Sequence, residues 1–103
     1  MIEPAAVRTA RREMGLPADD ESVMEECHRL DDVLAERIAL IRDRLWEEHK
    51  RETGATYMDE RFLLDSVNRA RVQATEEILE EEINAPLRDY YEQNPEAGED
   101  EDY

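Results

Sequence analysis

Two histidines, one cysteine and an excess of carboxylates are the side chains here with the means to do chemistry, and their spacing argues against it. Glu25-Glu26-Cys27-His28 contains Glu-x-x-His, the spacing that supplies two ligands in di-iron carboxylate bundles. Ligands in such bundles project inward. On a helix whose apolar stripe is centred at about 150°, Glu25 falls at about 340° and His28 at about 280°, on the solvent side. No later helical segment carries a histidine to complete a second motif, so a solvated pair is the better reading. The other histidine neighbourhood is Glu47-Glu48-His49. There Glu48 falls at about 120°, close to the core line, but one carboxylate and one imidazole are too few ligands for a metal centre. The sequence calls for no metal and no cofactor.

Cys27 lies on the apolar stripe with Glu25, Glu26 and His28 as neighbours. A nucleophilic thiol needs an exposed, electropositive setting, so this is expected to be a buried, inert one. Ser22 and Ser66 are the only serines, and three glycines are too few for a phosphate-cradling loop, so no catalytic arrangement can be assembled and no enzyme is expected. Residues 5–29 echo a helix-turn-helix through Ala10, Gly15, Leu16 and Val23. The would-be recognition helix starts Asp19-Asp20-Glu21 and continues through Glu25 and Glu26, and those carboxylates would repel phosphate.

The anomaly is Glu76-Glu77-Ile78-Leu79-Glu80-Glu81-Glu82. These glutamates occupy the end of a helical segment, where the macrodipole disfavours negative charge. Like charges four residues apart, Glu76 with Glu80 and Glu77 with Glu81, each cost a few tenths of a kcal/mol more, on the order of helix-surface pair energies. The run is either a simply solvated, highly charged face or is compensated by arginines of the earlier helices, a basic partner or cations. If a basic partner binds, Glu76, Glu77, Glu80, Glu81 and Glu82 are its contacts, together with the tail acids Glu99, Asp100, Glu101 and Asp102.

These groups are carried on 103 residues, about one small domain, with 29 acidic and 13 basic residues and a net charge of −16. That balance disfavours direct contact with nucleic-acid phosphate or anionic lipid. No apolar run reaches the roughly 18 residues a membrane span needs, and MIEPAAVRTARR lacks the apolar core of a signal peptide. A single cysteine excludes an internal disulfide framework and points to a reducing, cytoplasmic or otherwise intracellular setting, a virion included. Lys50 is the only lysine among the basic residues, a bias that a salt-adapted or high-GC source explains as well as any function does.

The elements read as all-α. Pro4 opens a helix over 4–14 with Val7, Ala10 and Met14 on one side, and Gly15 then Pro17 stop it. Asp19 and Asp20 cap a second over 20–53, about 50 Å long, whose stripe is Val23, Cys27, Leu30, Leu34, Ile38, Ile41 and Leu45. Gly54-Ala55 is a short link, so a third helix over 57–84 folds back antiparallel, with a capping box from Thr56 to Asp59. Its main stripe is Leu63, Val67, Ala70, Ala74 and Ile78; a second, Val72, Leu79 and Ile83, lies opposite. Pro86 is expected to end or kink this helix near Asn84, leaving a short turn over 86–92. Residues 1–93 form one helical domain, and 94–103 an acidic tail expected to be disordered. No internal repeat stands out.

Four apolar stripes on three helices are more than one chain covers, and a lone hairpin buries little. The expectation is completion of a helical bundle by oligomerisation, as a dimer or larger, or by another protein. Val33, Leu40, Val72, Leu79 and Ile83 are the residues placed at self-association. The function read from this is a non-enzymatic interaction or assembly module, an adaptor or scaffold of a complex or virion. The alternative is an acidic nucleic-acid mimic that occupies a basic protein surface, as an anti-nuclease or anti-defence protein would, since surface carboxylates four apart stand about 6 Å apart, near the phosphate spacing of a strand. A metal-binding carboxylate bundle ranks below both.

Overall fold

Local signals set the first helix and its exit. The computed structural model describes residues 2–95, which are all-α. Helix α1 (Pro4–Glu13) begins on Pro4, whose missing N–H would have had no partner there, and buries Val7 and Ala10. It ends on Gly15 at φ 69°. The Leu16 N–H donates to the Arg11 carbonyl at 2.8 Å and the Gly15 N–H to Arg12 at 3.1 Å, the paired bonds of a Schellman cap.

Helix α2 (Asp20–Thr53) runs the full expected length. The Asp19 carboxylate accepts from the Ser22 backbone N–H at 3.3 Å and from its hydroxyl at 2.7 Å, and these bonds hold the Asp19 carboxyl below its usual range. The far end closes on Gly54 at φ 72°, whose N–H donates to Lys50 at 2.8 Å. A Cβ at Gly54 would meet nothing within 4 Å. Gly54→Ala is therefore expected to cost about 1 kcal/mol through the left-handed backbone alone, read as a lower urea midpoint with an unchanged slope.

Helix α3 (Glu60–Leu79) starts three residues later than expected. Asp59 caps it directly, accepting from the Phe62 N–H at 2.8 Å, so Thr56, Tyr57 and Met58 stay in the connection. The buried row on α3 is Ser66, Ala70, Ala74 and Ile78. It follows the four-residue ridge, which is inclined to the helix axis, so the line of burial drifts round the helix. At the N-terminal end this puts Leu63 at 38% exposure and buries Ser66, whose hydroxyl donates to the Leu63 carbonyl at 3.1 Å. On α2 the expected stripe is buried except Ile38, which is half-buried.

The largest departure is at Pro86. The helix does not break: a π-helical turn (Glu80–Asn84) joins α3 to α4 (Ala85–Gln93), where a mere turn had been expected. Proline cannot donate to a carbonyl one turn back, and its ring collides with the carbonyl four residues earlier. Widening the preceding turn moves those carbonyls aside, and the Ala85 N–H bonds five residues back to Glu80. The wider turn also carries Ile83 round to the core side, where it is 8% exposed. Ile83 thus leaves the outer stripe to which the sequence assigned it, and Leu79 is half-buried against the same core.

Together α2 and α3 form an antiparallel hairpin, with α1 folded over one end of α2. The molecule measures 57 × 27 × 19 Å, its long dimension set by the roughly 51 Å of α2. A single core runs from Ile2, Val7 and Ala10 through Leu30 to Leu45. The acids Glu99, Asp100, Glu101 and Asp102 lie outside the described residues.

Candidate functional site

Four of the five helix-end glutamates are held by arginines of the same chain. Arg37 on α2 donates from Nη1 to Glu77 at 2.8 Å and pairs through Nη2 with Glu81 at 2.8 Å. Gln73 adds a bond to the second Glu77 oxygen at 2.9 Å. Arg29 pairs with Glu82 at 3.0 Å and, through Nε, with Glu26 at 2.8 Å. Arg88, just past the π turn, bonds Glu80, which also accepts from Asn84 at 3.3 Å. The Gln73 amide and then Arg37 draw the Glu77 carboxyl below its usual range; Arg88 and then Asn84 do the same for Glu80. Arg29, Arg37 and Arg88 are correspondingly harder to deprotonate. Antiparallel folding supplies Arg37 and Arg29 from forty or more positions away, whereas Arg88 comes from only eight residues beyond Glu80. Glu76 stays exposed, with no ion pair among the described residues.

This network has a pH signature. A carboxylate with a depressed folded pKa stabilises the fold above its ordinary value, 4.5, and loses that contribution as pH falls through the folded pKa. Arg37→Ala also leaves Glu77 and Glu81 facing each other uncompensated. The variant is therefore expected to be less stable than the wild type at neutral pH. The gap between their urea midpoints should narrow as pH falls below 4.5 and through the lowered folded pKa of Glu77, where its carboxylate protonates and the pairing is lost. A gap independent of pH would mean that Arg37 acts through packing instead.

Where α1 crosses α2 beside the π turn, a cleft of about 220 Å³ opens. Its floor is Val7, Ala10, Met14, Leu30, Ile83 and Pro86, and Arg11, Glu26, Arg29 and Glu82 stand at its rim. The two cations are already occupied: Arg11 bonds the Pro17 carbonyl and lies 3.6 Å from Glu26, while Arg29 holds Glu26 and Glu82. What remains free is apolar, with room for one hydrophobic side chain.

The other sequence candidates separate in space. Glu25 and His28 are both exposed. Glu48 is exposed too, away from the core line expected of it, because His49 takes the inward place. His49 stacks on Phe62 at 4.2 Å between ring centroids, with Trp46 at 5.9 Å and Lys50 Nζ 5.4 Å over the indole. No group of three or more His, Cys, Asp or Glu that could hold a metal ion occurs among the described residues. Cys27 is 4% exposed, and burial first, then Asp31 and Glu26, push its thiol pKa up. That setting suppresses the thiolate.

The outward surfaces are where apolar groups remain. Leu40 is 66% exposed, and Leu64 and Val72 are 60% exposed each; Val33, by contrast, packs half-buried against the core. Leu64 was missed in the sequence, although its eight-residue spacing from Val72 places both on one side of α3. Missed as well was a period of eleven on the outside of α2: Glu21 and Glu25, Asp32 and Glu36, Asp43 and Glu47, all exposed. Eleven residues make three turns, so these carboxylate pairs recur on one side about every 16 Å.

The fold and these surfaces define the chain as an all-α helical-hairpin protein, in which no described helix is long and apolar enough to cross a membrane. Comparison with protein families, curated proteins and solved structures finds no match to it.

Proposed function

We propose that this protein is a non-enzymatic assembly module that acts by presenting helix faces to other protein surfaces inside the cell or a virion. One observation carries the reading: Leu40, Leu64 and Val72 stand 60% or more exposed on long helices, while four of the five glutamates of the acidic run are paired with arginines of the same chain. Single exposed leucines are ordinary, but Leu64 and Val72 share one side of one helix, and such a face gains by being covered. Light scattering on a sizing column, at about 0.1 M and about 1 M salt, tests it, since screening shortens to about 3 Å at the higher salt. Apolar association persists at both. A chain that is monomeric at both and binds no protein from its source is not an assembly module.

The acidic row on α2 supports a second reading, the nucleic-acid mimic. In that reading Glu21, Glu25, Asp32, Glu36, Asp43 and Glu47 would replace the helix-end glutamates as the contacts, because most of the latter are taken. Binding to polylysine should then fall steeply with salt. It should weaken more on changing Glu25, Asp32 and Glu36 to their amides than on neutralising Glu52, Glu60 and Asp89. Equal losses would reduce the effect to net charge.

A further inference from the structure

We infer that α3 carries the binding site for a second copy of this chain, the two α3 helices lying antiparallel across a twofold axis that passes beside Asn68. The inference rests on the helix-face reading above and supplies its partner and register.

Leu64, Asn68, Val72 and Glu76 step along α3 four residues at a time, as does the buried row Ser66, Ala70, Ala74 and Ile78. Two rows with the same step wind round the helix together and stay on opposite sides. The outer row is exposed throughout, with Leu64 and Val72 at 60%. Beside its middle lies a shallow hollow of about 360 Å³ formed by Asn68, Arg69, Val72 and Gln73. A side chain from a facing helix seats in such a four-residue hole.

A twofold interface must complement itself: where residue i meets j, j meets i. With the axis beside Asn68, Leu64 of each copy falls on the hollow at Val72 of the other, and Asn68 meets Asn68. The charges then match. Arg61, seven positions before the axis, meets Glu76, eight positions after it. Asp65 comes within about one turn of Arg69 of the other copy, on the same flank. Glu76 and Arg61 have no ion pair in the single chain among the described residues, and the Asp65–Arg69 pair within one helix is a long 3.9 Å. A parallel arrangement would set arginine on arginine, aspartate on aspartate and glutamate on glutamate, so charge selects the antiparallel one.

Sedimentation equilibrium on the full chain tests this, with circular dichroism confirming that each variant is folded. The wild type dimerises. Val72→Arg, at the apolar centre, weakens the dimer about a hundredfold or more. Arg61→Glu or Glu76→Arg alone weakens it about tenfold, because each change strikes two symmetry-related pairs. The double variant returns to within about threefold of the wild type. Positions 61 and 76 are about 22 Å apart along one helix, so that rescue crosses between copies. Under mild oxidation Asn68→Cys links to itself, whereas Leu64→Cys links to Val72→Cys and not to itself. A dimer indifferent to Val72→Arg and without charge rescue places the interface elsewhere and overturns the inference, while the assembly reading stands. Self-linking of Leu64→Cys as strong as that of Asn68→Cys overturns the antiparallel register. A folded chain that stays monomeric at about 100 μM overturns the second copy as partner, and the helix-face reading then requires a different protein.

Discussion

Ile78→Ala is expected to destabilise the fold by about 3 kcal/mol, read as a lower urea midpoint with an unchanged slope. Ile78 is 1% exposed and is the last buried residue of α3 before the π turn. Truncation removes three carbons from a site packed into the single hydrophobic core, which relaxes only partially around the space left. Transfer and cavity costs therefore add. Small domains have about 5–15 kcal/mol in all, so this is a large share. Leu40→Ala removes a similar group at 66% exposure and should change stability by no more than about 0.5 kcal/mol. If the two variants cost the same, α3 is not seated on α2 as described.

Ala74→Leu is expected to destabilise by about 3 kcal/mol although it adds apolar surface. Ala70 and Ala74 are both fully buried on the side of α3 facing α2. Side chains of one carbon let the two backbones approach to the short end of the usual 8–10 Å. A leucine has no room there, and the hairpin relieves the clash only by opening the seam or twisting side chains off their rotamers. Ala39→Leu, the same change at an exposed position of α2, should be nearly neutral. Loss on both enlarging Ala74 and shrinking Ile78 is the behaviour of a close-packed seam, whereas a loosely filled one would gain from the larger residue. A stable Ala74→Leu would mean the helices stand farther apart.

The elements that were legible in the sequence are those bounded by local chemistry. Asp19 and Gly54 delimit α2 because a cap and a left-handed glycine each act within one turn. Pro4 and Gly15 bound α1 in the same way. Cys27 is buried where the 100° periodicity puts it, since one straight helix keeps its phase over many turns. The eleven-residue carboxylate period on α2 was equally present but conserves charge class, not residue identity, and so does not read as a repeat.

Other features turn on contacts between distant segments. Pro86 forbids an α-helical bond, but nothing local decides whether the chain then stops or widens. Burial of Ile83, and the bond that the Tyr91 hydroxyl donates to Glu13 on α1, reward a helix that continues through a wider turn. The same holds for His49 over Glu48, where Phe62 across the hairpin supplies the ring that draws the imidazole inward. It holds most for the glutamate run. Composition set its repulsion, and the sequence left open whether solvent alone, arginines of the chain, cations or a basic partner met it. That Arg37 and Arg29 do so follows from the antiparallel register of α2 and α3. Electrostatic pairing needs contact within a few ångströms, and only the tertiary fold brings residues forty or more positions apart that close.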